Sequence, residues 1–476
     1  MTAIGATDLL LGREEPSGRL GEVAAWLLLL ALSLFALVPG LLLGPIQDAG
    51  IFGTLGEQLV RGELPYRDAW DHKPPGAYLV AAAAALLPGP TWPAFWMASV
   101  VWLATTGVVL RRIVGLALAG IAVASMGFYP ASVGGGLTET FAALPAAVAF
   151  LLACRSRWVA AGLAAGLALS FSLQAAPLLI ALVVLAGARP RALAGGLLGV
   201  SVVIGSVVGV LALAGILPHA VDAVVTYNRF YLESDRTGDL RIAHYFAVVL
   251  LPLGAALPFV AGRRWDRAGA AAGAWIVASA ILIALQGRLW AHYVIPLAIP
   301  LAVLARGALA RPRAAVAVGL ATVAMAGVSF LVAAQQAPVH GGRIGAQVGA
   351  WVQARTDPTD TILVWGVDAG IYLAAERAPT GRYPYDLPLV THGYATTSMI
   401  ATWVEGLDAA PPRVIVDAEA ASGYWGEDAD FLRPPPPGAA GGRDLDLLDP
   451  FRDWVRANYE LVTEIEGRKI YEFVAE

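Results

Sequence analysis

The sequence predicts a mainly α-helical polytopic membrane protein of about 11 transmembrane helices, with a small extracytoplasmic α/β domain at its C-terminal end. Three observations carry this. The 476 residues are 58% hydrophobic and 14% charged, with a mean hydropathy of +0.65, against the ~25% charge usual in soluble domains. Apolar runs fill the chain to about residue 335, after which Asp, Glu, Pro and aromatic residues take over. Arginines stand at alternate ends of the apolar runs, the asymmetry of a chain that crosses a bilayer repeatedly.

The runs lie at about 22–44, 92–110, 113–130, 139–154, 158–173, 174–188, 192–217, 244–262, 268–286, 290–308 and 314–335. The first reads as an anchor rather than a cleavable signal, because it is longer than a signal core and lacks an A-x-A exit. Arg111/Arg112, Arg155/Arg157, Arg189/Arg191, Arg263/Arg264/Arg267 and Arg306/Arg311/Arg313 mark cytoplasmic ends, together with Arg13 and Arg19. Ala77–Leu87 is apolar but short of the ~20 residues a span needs. Reading Pro74–Leu87 as a juxtamembrane helix keeps the arginines on one side. The N-terminus is then cytoplasmic and the tail outside, with residues 1–335 forming the membrane domain and 336–476 the α/β domain. The outer segments are 45–91, 129–139, a turn near 172–175, 218–243, 286–291 and the tail. Nearly every acid, histidine and tyrosine of the membrane part falls in them. The composition offers no basic tract for nucleic acid, and the single Cys154 excludes an intrachain disulfide or a cysteine metal cluster.

In the tail, "TILVWG" (361–366), "RVIVDA" (413–418), "LVTEIE" (461–466) and "KIYEFVA" (469–475) read as strands, the last two joined by a Gly-Arg turn. "GRIGAQVGAWVQAR" and "DPFRDWVRANYE" read as helices.

The candidate functional residues gather on the outer side. Ile51, Phe52, Leu55 and Leu59 recur at helical spacing with Thr54, Glu57 and Arg61 turned away, a pattern suited to a helix lying in the membrane interface. Asp48 opens this helix. It reads as an N-cap, or as a carboxylate at the water–lipid boundary that accepts a proton. Glu139 follows Gly134–Gly136 and starts the fourth span; it reads as favoured by the helix dipole next to a Thr138 cap, or as a partner of Asp48 in acid/base work or in holding a divalent ion. "RDAWDHKPPG" places Asp68, Asp71, His72 and Lys73 together, and Lys73 is one of two lysines, with Lys469. These charges form either a surface salt-bridge cluster worth ~0–1 kcal/mol or a cationic site. The 218–243 loop brings Arg229, Arg236 and Arg241 among aromatics, as forks for phosphate or as a solvated loop. Arg288, His292 and Tyr293 stand at the entrance of the tenth span, at the depth of lipid headgroups.

The stretches "DAGIFGTLGEQLVRGELPYRDAWDHKPPGAYLV", "GLTETFAAL" and "RLWAHYVIPLAIPL" resemble the polytopic GT-C glycosyltransferases. The similarity is to the protein mannosyltransferase and aminoarabinose lipid A transferase relatives, including their RgtA/B/C/D-like bacterial branch. It covers about residues 25–335, and the tail resembles that branch's soluble domain. The resemblance implies transfer of a sugar, hexosyl or pentosyl, from a polyprenyl-phosphate donor to an acceptor on the outer face of a bacterial inner membrane, with inversion. Asp48 matches the family's carboxylate, Glu139 its second acid and Lys73 the lysine of its "KPP" segment. Tyr66, Asp71, His72, Lys73, Arg229, Arg288, His292 and Tyr293 are then expected to bind substrate and lipid phosphate, and Asp48 and Glu139 to be catalytic or to hold Mg or Mn. Where many relatives carry a lysine before a Gln, this chain has Leu173 before Gln174. A flippase for lipid-linked sugars and an inactive GT-C scaffold are the alternatives.

Overall fold

The computed structural model describes residues 18–45, 47–132, 135–234, 250–262, 265–287, 290–340, 342–419, 432 and 443–474. Each of the eleven expected spans is helical over its described part. α1 is Arg19–Leu43 and is followed by α2 Gln47–Val60 and α3 Gly76–Ala85 in the first outer loop. α4 Thr91–Val114, α5 Leu116–Ser132, α6 Thr138–Cys154, α7 Trp158–Phe171, α8 Pro177–Ala186 and α9 Pro190–Leu213 continue the bundle. A second outer segment winds as α10 Leu217–Val221, a π-turn Asp222–Tyr227 and α11 Asn228–Ser234. α12 Leu250–Phe259 and α13 Arg267–Gln286 follow, then a 3-10 turn Ala291–Leu297 leading into α14 Ala298–Leu304, and α15 Pro312–His340. Among the described residues, five of these helices are long and apolar enough to cross a membrane, by length and composition: α1, α4, α9, α13 and α15.

The local chemistry explains the breaks. Gly115 takes φ +84° between α4 and α5, a conformation without steric cost only for glycine, so two spans join through one residue. Pro75 sits just before α3 and the helix starts at Gly76, as a ring that cannot continue an upstream helix requires. Along α9 only Ala192 and Gly199 are buried, and Leu197, Val210 and Leu213 lie open. The buried side of α9 meets α7 backbone to backbone through Gly162, Gly196 and Gly199, the close approach that small residues permit between helices in lipid.

The tail begins with α16 Gly342–Gln353 and contains β1 Thr361–Trp365, α17 Gly370–Ala375, β2 Ala378–Pro379, α18 Leu387–Val390, α19 Thr397–Ala409, β3 Val414–Asp417, α20 Asp449–Asn458, β4 Tyr459–Ile465 and β5 Arg468–Phe473. The described strands form one sheet in the order β2-β1-β3-β5-β4. β1 pairs parallel with β2 and β3, while β5 runs antiparallel to β3 and β4. The four expected strands and two expected helices are all present. β2, α17 and α18 are too short to carry a readable period, and α19, with Ile400, Trp403 and Leu407 buried at helical spacing behind a Thr396 cap, adds to the expected elements. The β4–β5 turn uses Glu466 and Gly467, at φ +47° and +79°, so it is an Xaa-Gly turn of the hairpin type rather than Gly-Arg.

One expectation is overturned. Thr54 does not turn away from the packed side of α2. The helix is enclosed between α3 and α17, and Thr54 is buried with its hydroxyl donating to the Ala369 carbonyl at 3.0 Å. The reason is glycine. A Cβ on Gly50 would stand 2.5 Å from Gly370 N, one on Gly53 2.6 Å from Leu373 and one on Gly56 2.6 Å from Ala81. Three glycines on one helix thus admit neighbours from both sides. Gly370→Val, whose Cβ would meet the Pro45 carbonyl, is expected to cost about 1–3 kcal/mol. The check is a lowered Tm of the detergent-purified protein together with faster protease cleavage of the tail; an unchanged Tm contradicts the packing.

Candidate functional site

The first outer loop folds on itself before it reaches the site. Leu64 N donates to Asp68 Oδ2 at 2.9 Å and Tyr66 N to the Ala69 carbonyl at 2.7 Å. Asp68 is bound by the Arg67 guanidinium through two 2.8 Å contacts, so it faces Arg67 and not Lys73. The tail then takes hold of the backbone. Trp70 N donates to the Arg382 carbonyl at 2.9 Å, and Arg382 Nε donates to the Tyr66 carbonyl at 3.0 Å. The Lys73 carbonyl accepts from the Tyr66 hydroxyl at 3.0 Å and lies 2.8 Å from the Tyr78 hydroxyl, whose one proton it shares with Asp71, and the His72 carbonyl accepts from Asn228 Nδ2 at 2.9 Å. Residues 70–73 are therefore fixed by loop, membrane-side helix and tail together.

Asp71 is the centre of this clasp. It is 2% exposed, and its two oxygens accept from the Tyr78 hydroxyl at 2.6 Å and the Tyr385 hydroxyl at 2.5 Å, with His72 Nδ1 3.3 Å away. Burial alone would raise the Asp71 carboxyl, but its His72, Tyr385 and Tyr78 partners reverse this and hold it below the usual carboxylate range. His72 is pushed the other way. Burial lowers its pKa, against the raising effect of Asp71, and its ring packs against Tyr227 and Tyr231 at 5.2 and 5.1 Å.

Lys73 stands differently. Among the described residues its ammonium makes no hydrogen bond and no ion pair within 4.0 Å. Loss of water works against its charge, yet Tyr293, Asp48, Glu139 and Tyr231 around it outweigh this and raise its pKa. Asp48 lies in the first turn of α2, is half-buried, and interacts electrostatically with Lys73, His72 and His292. Glu139 opens α6 and is 1% exposed. Its oxygens accept from the Thr138 and Ser172 hydroxyls, both at 2.9 Å. Ser172 in turn accepts from Gln174 N at 3.2 Å, and Gln174 Nε2 donates to Gln286 Oε1 at 2.7 Å. His292 interacts with Asp48 and Lys73, and its ring meets Tyr293 edge-on at 4.7 Å. One cation therefore stands among two acids and two imidazoles, at the mouth of the bundle and under the tail.

No known family profile and no curated protein matches the chain. Among solved structures it is similar to ArnT from Cupriavidus metallidurans bound to undecaprenyl phosphate, with 14% identity and a TM-score of 0.63 over 96% of this chain and 99% of that one. It is similar to the apo state of ArnT as well, with 14% identity and a TM-score of 0.61 over 95% and 97%. The archaeal oligosaccharyltransferase AglB from Archaeoglobus fulgidus, in complex with an inhibitory peptide and a dolichol-phosphate, matches with 12% identity and a TM-score of 0.50 over 93% and 79%. The fold is that of the GT-C enzymes. As a GT-C fold with several apolar helices, the chain is a multi-pass membrane protein.

Within this GT-C fold, Asp48, His72, Lys73, Glu139, His292 and Tyr293 come together. Tyr66 and Asp71 stand behind them as supports, with both Asp71 oxygens accepting from tyrosines. Arg229 does not join the group. Its side chain is 77% exposed and pairs with Glu233 at 3.6 Å on the outer surface of α11. Arg236, Arg241 and Arg288 lie outside the described residues. The cap roles are not seen, since α2 already begins at Gln47 and α6 is preceded by Leu137 with no side-chain cap, but both acids stand in a first turn, where the helix dipole favours a negative charge. Among the described residues no group of three His, Cys, Asp or Glu is set to hold a metal. The charge facing both acids is Lys73, and each Glu139 oxygen accepts one hydroxyl. Tyr78, Tyr385, Ser172, Asn228, Tyr227 and Tyr231 are further site residues; they arrive from four segments, with Tyr227, Asn228 and Tyr231 together on the aromatic 218–243 stretch.

The opposed shifts have a consequence in acid. His72 has a folded pKa below its ordinary 6.5, so its contribution is fully present above pH 6.5 and is lost as pH falls through the folded value. Asp71 releases its contribution only below its ordinary 3.8. Wild-type Tm is expected to fall more steeply than that of His72→Phe as pH drops from 6.5 towards 4, measured side by side in detergent. Parallel slopes would contradict a buried neutral imidazole.

Proposed function

We propose that the chain is a membrane glycosyltransferase that moves a sugar from a polyprenyl-phosphate donor to a lipid, glycan or protein acceptor on the outer face of a bacterial inner membrane, with inversion at the anomeric carbon. The observation that carries this reading is the Lys73 ammonium, charged, without a direct partner among the described residues, and set among Asp48, Glu139 and His292. The undecaprenyl phosphate bound by ArnT, which shares the fold along nearly its whole length, supports a lipid phosphate as the occupant.

In this reaction the bond between the anomeric carbon and the phosphate oxygen breaks as the acceptor oxygen bonds the opposite face of that carbon. Polyprenyl phosphate leaves with the bond's electron pair and is stable as an anion, so the departure needs charge stabilisation more than a proton. Lys73 supplies that charge. The acceptor hydroxyl must lose its proton as it attacks, and the Asp48 carboxylate, which has no hydrogen-bond partner among the described residues, takes it. Glu139, held by Thr138 and Ser172, keeps the lysine charged and oriented. Asp48→Asn is expected to lower kcat by ~100-fold or more, the scale of a general-base contribution, with the lipid donor still bound. Lys73→Met is expected to raise the donor KM and lower kcat together. Release of polyprenyl phosphate from radiolabelled donor by the purified protein measures both, and an Asp48→Asn enzyme of wild-type rate overturns the assignment.

The orientation follows from charge. Glu22 near the start of α1 pairs with Arg111 and with Arg112 at 3.7 Å, which sets the arginine-rich ends on the side of the N-terminus, the cytoplasmic side by the positive-inside rule. Cys154, the single native cysteine, is buried, so introduced cysteines report position cleanly. Ser398→Cys in the tail is expected to react with a membrane-impermeant thiol reagent in intact spheroplasts, and Arg191→Cys only after lysis. The reverse pattern inverts the topology.

A further inference from the structure

His72 and Lys73 are adjacent in sequence and present opposite chemistry to the same space. His72 Nδ1 lies 3.3 Å from Asp71 Oδ1 and 3.3 Å from the Tyr385 hydroxyl. Tyr385 commits its own proton to Asp71 Oδ1 at 2.5 Å, and an ionised carboxylate has no proton to give. Both atoms beside Nδ1 are therefore acceptors, and Nδ1 must carry the ring proton, since a ring nitrogen's tautomer is set by the partner of the other. Nε2 is left as a lone pair. It is buried and has no partner among the described residues, and the ring is held in place by Tyr227, Tyr231 and the Asn228 bond to the His72 carbonyl. Tyr231, whose ring packs at a tilt against His72, also interacts electrostatically with Lys73, so both side chains share one wall.

A buried acceptor without a donor is costly to keep, which points to a ligand that supplies one. That ligand group is not the phosphate. A phosphodiester anion carries acceptors only, so a lone pair gains nothing from it, whereas Lys73 gains everything. The donors on a polyprenyl-phosphate sugar are the hydroxyls or amine of the sugar, beginning a few bonds from the phosphorus.

We infer that His72 Nε2 accepts a hydrogen bond from a hydroxyl or amine of the transferred sugar while Lys73 holds the phosphate, so that one dipeptide divides the donor into a sugar-reading residue and a phosphate-holding residue. The inference rests on the proposed transferase reading and replaces the expectation that His72 contacts phosphate. His72 acts here as a positioning residue for the sugar ring, presenting the anomeric carbon to the acceptor.

The test compares two probes on the full-length protein in nanodiscs without acceptor: undecaprenyl phosphate, and undecaprenyl phosphate carrying mannose, glucose, galactose or 4-aminoarabinose. Wild type is expected to bind at least one sugar-bearing lipid more tightly than the bare one. His72→Asn, which keeps a donor near the Nδ1 position but has no acceptor where Nε2 stood, is expected to lose that gain, roughly 3- to 10-fold, with bare-lipid affinity unchanged. His72→Gln, which reaches the Nε2 position, is expected to recover part of it. Equal weakening of both probes by His72→Asn, no weakening of either, or a wild type with no preference for a sugar-bearing lipid each overturns the inference. Lys73→Met is expected to weaken both probes; if it weakens neither, the phosphate site itself fails, whatever the His72 variants do.

Discussion

A buried carboxylate that accepts two tyrosine hydroxyls organises this molecule. Asp71 is taken out of water, which costs several kcal/mol for a charge left alone, and is compensated by short bonds from Tyr78 and Tyr385. Those tyrosines come from opposite parts of the chain, one from the helix beneath the loop and one from the tail. The same carboxylate sets the His72 ring, and Tyr78 also bonds the Lys73 carbonyl. Removing it would take from the loop and the tail one of their shared anchors and from the imidazole its Nδ1 partner, leaving the Trp70–Arg382 and Arg382–Tyr66 bonds to hold the two together.

The clasp explains how a lysine can remain charged with no ion pair. The backbone of residue 73 is fixed from below by Tyr66 and Tyr78, so the side chain is placed without spending its ammonium on a structural bond. Asp48 and Glu139 supply compensating charge from a distance. This division, in which neutral hydroxyls do the holding and carboxylates only balance the field, leaves the cation free for an anionic ligand. Direct salt bridges elsewhere in the chain, such as Arg306 with Asp266 and Arg468 with Asp368, both doubly contacted, have no such capacity left.

The bundle was legible because lipid imposes a length and a composition on each span, and arginines punctuate them. Asp48, Lys73, Glu139 and His292 were legible as rare polar residues on one side of an apolar sequence. Their partners were not. Ser172 looks like an ordinary loop residue until Glu139 is placed opposite it, and Tyr385 is one aromatic among several in the tail. Arg229 shows the converse: it lies in a suggestive sequence, yet helical phase turns it outward to Glu233. The buried face of α2 was hidden for a related reason. Gly50, Gly53 and Gly56 carry no hydrophobic signal, so a periodicity reading assigns them no partner although they make the closest contacts of that helix.

The span of the Asp71–Tyr385 bond, 314 residues, and of the Thr54–Ala369 bond, 315 residues, bears on how the protein is made. Ribosomes deliver the first outer loop long before its partners exist, and chain closure over such separations is slow compared with helix formation. The lysine therefore waits in an unclasped loop while ten further apolar segments are inserted. A chain arrested before residue 385 would carry a complete-looking bundle and no assembled site. The reactive constellation is thus a property of the finished polypeptide, switched on by its last quarter rather than inherited from the segment that encodes it.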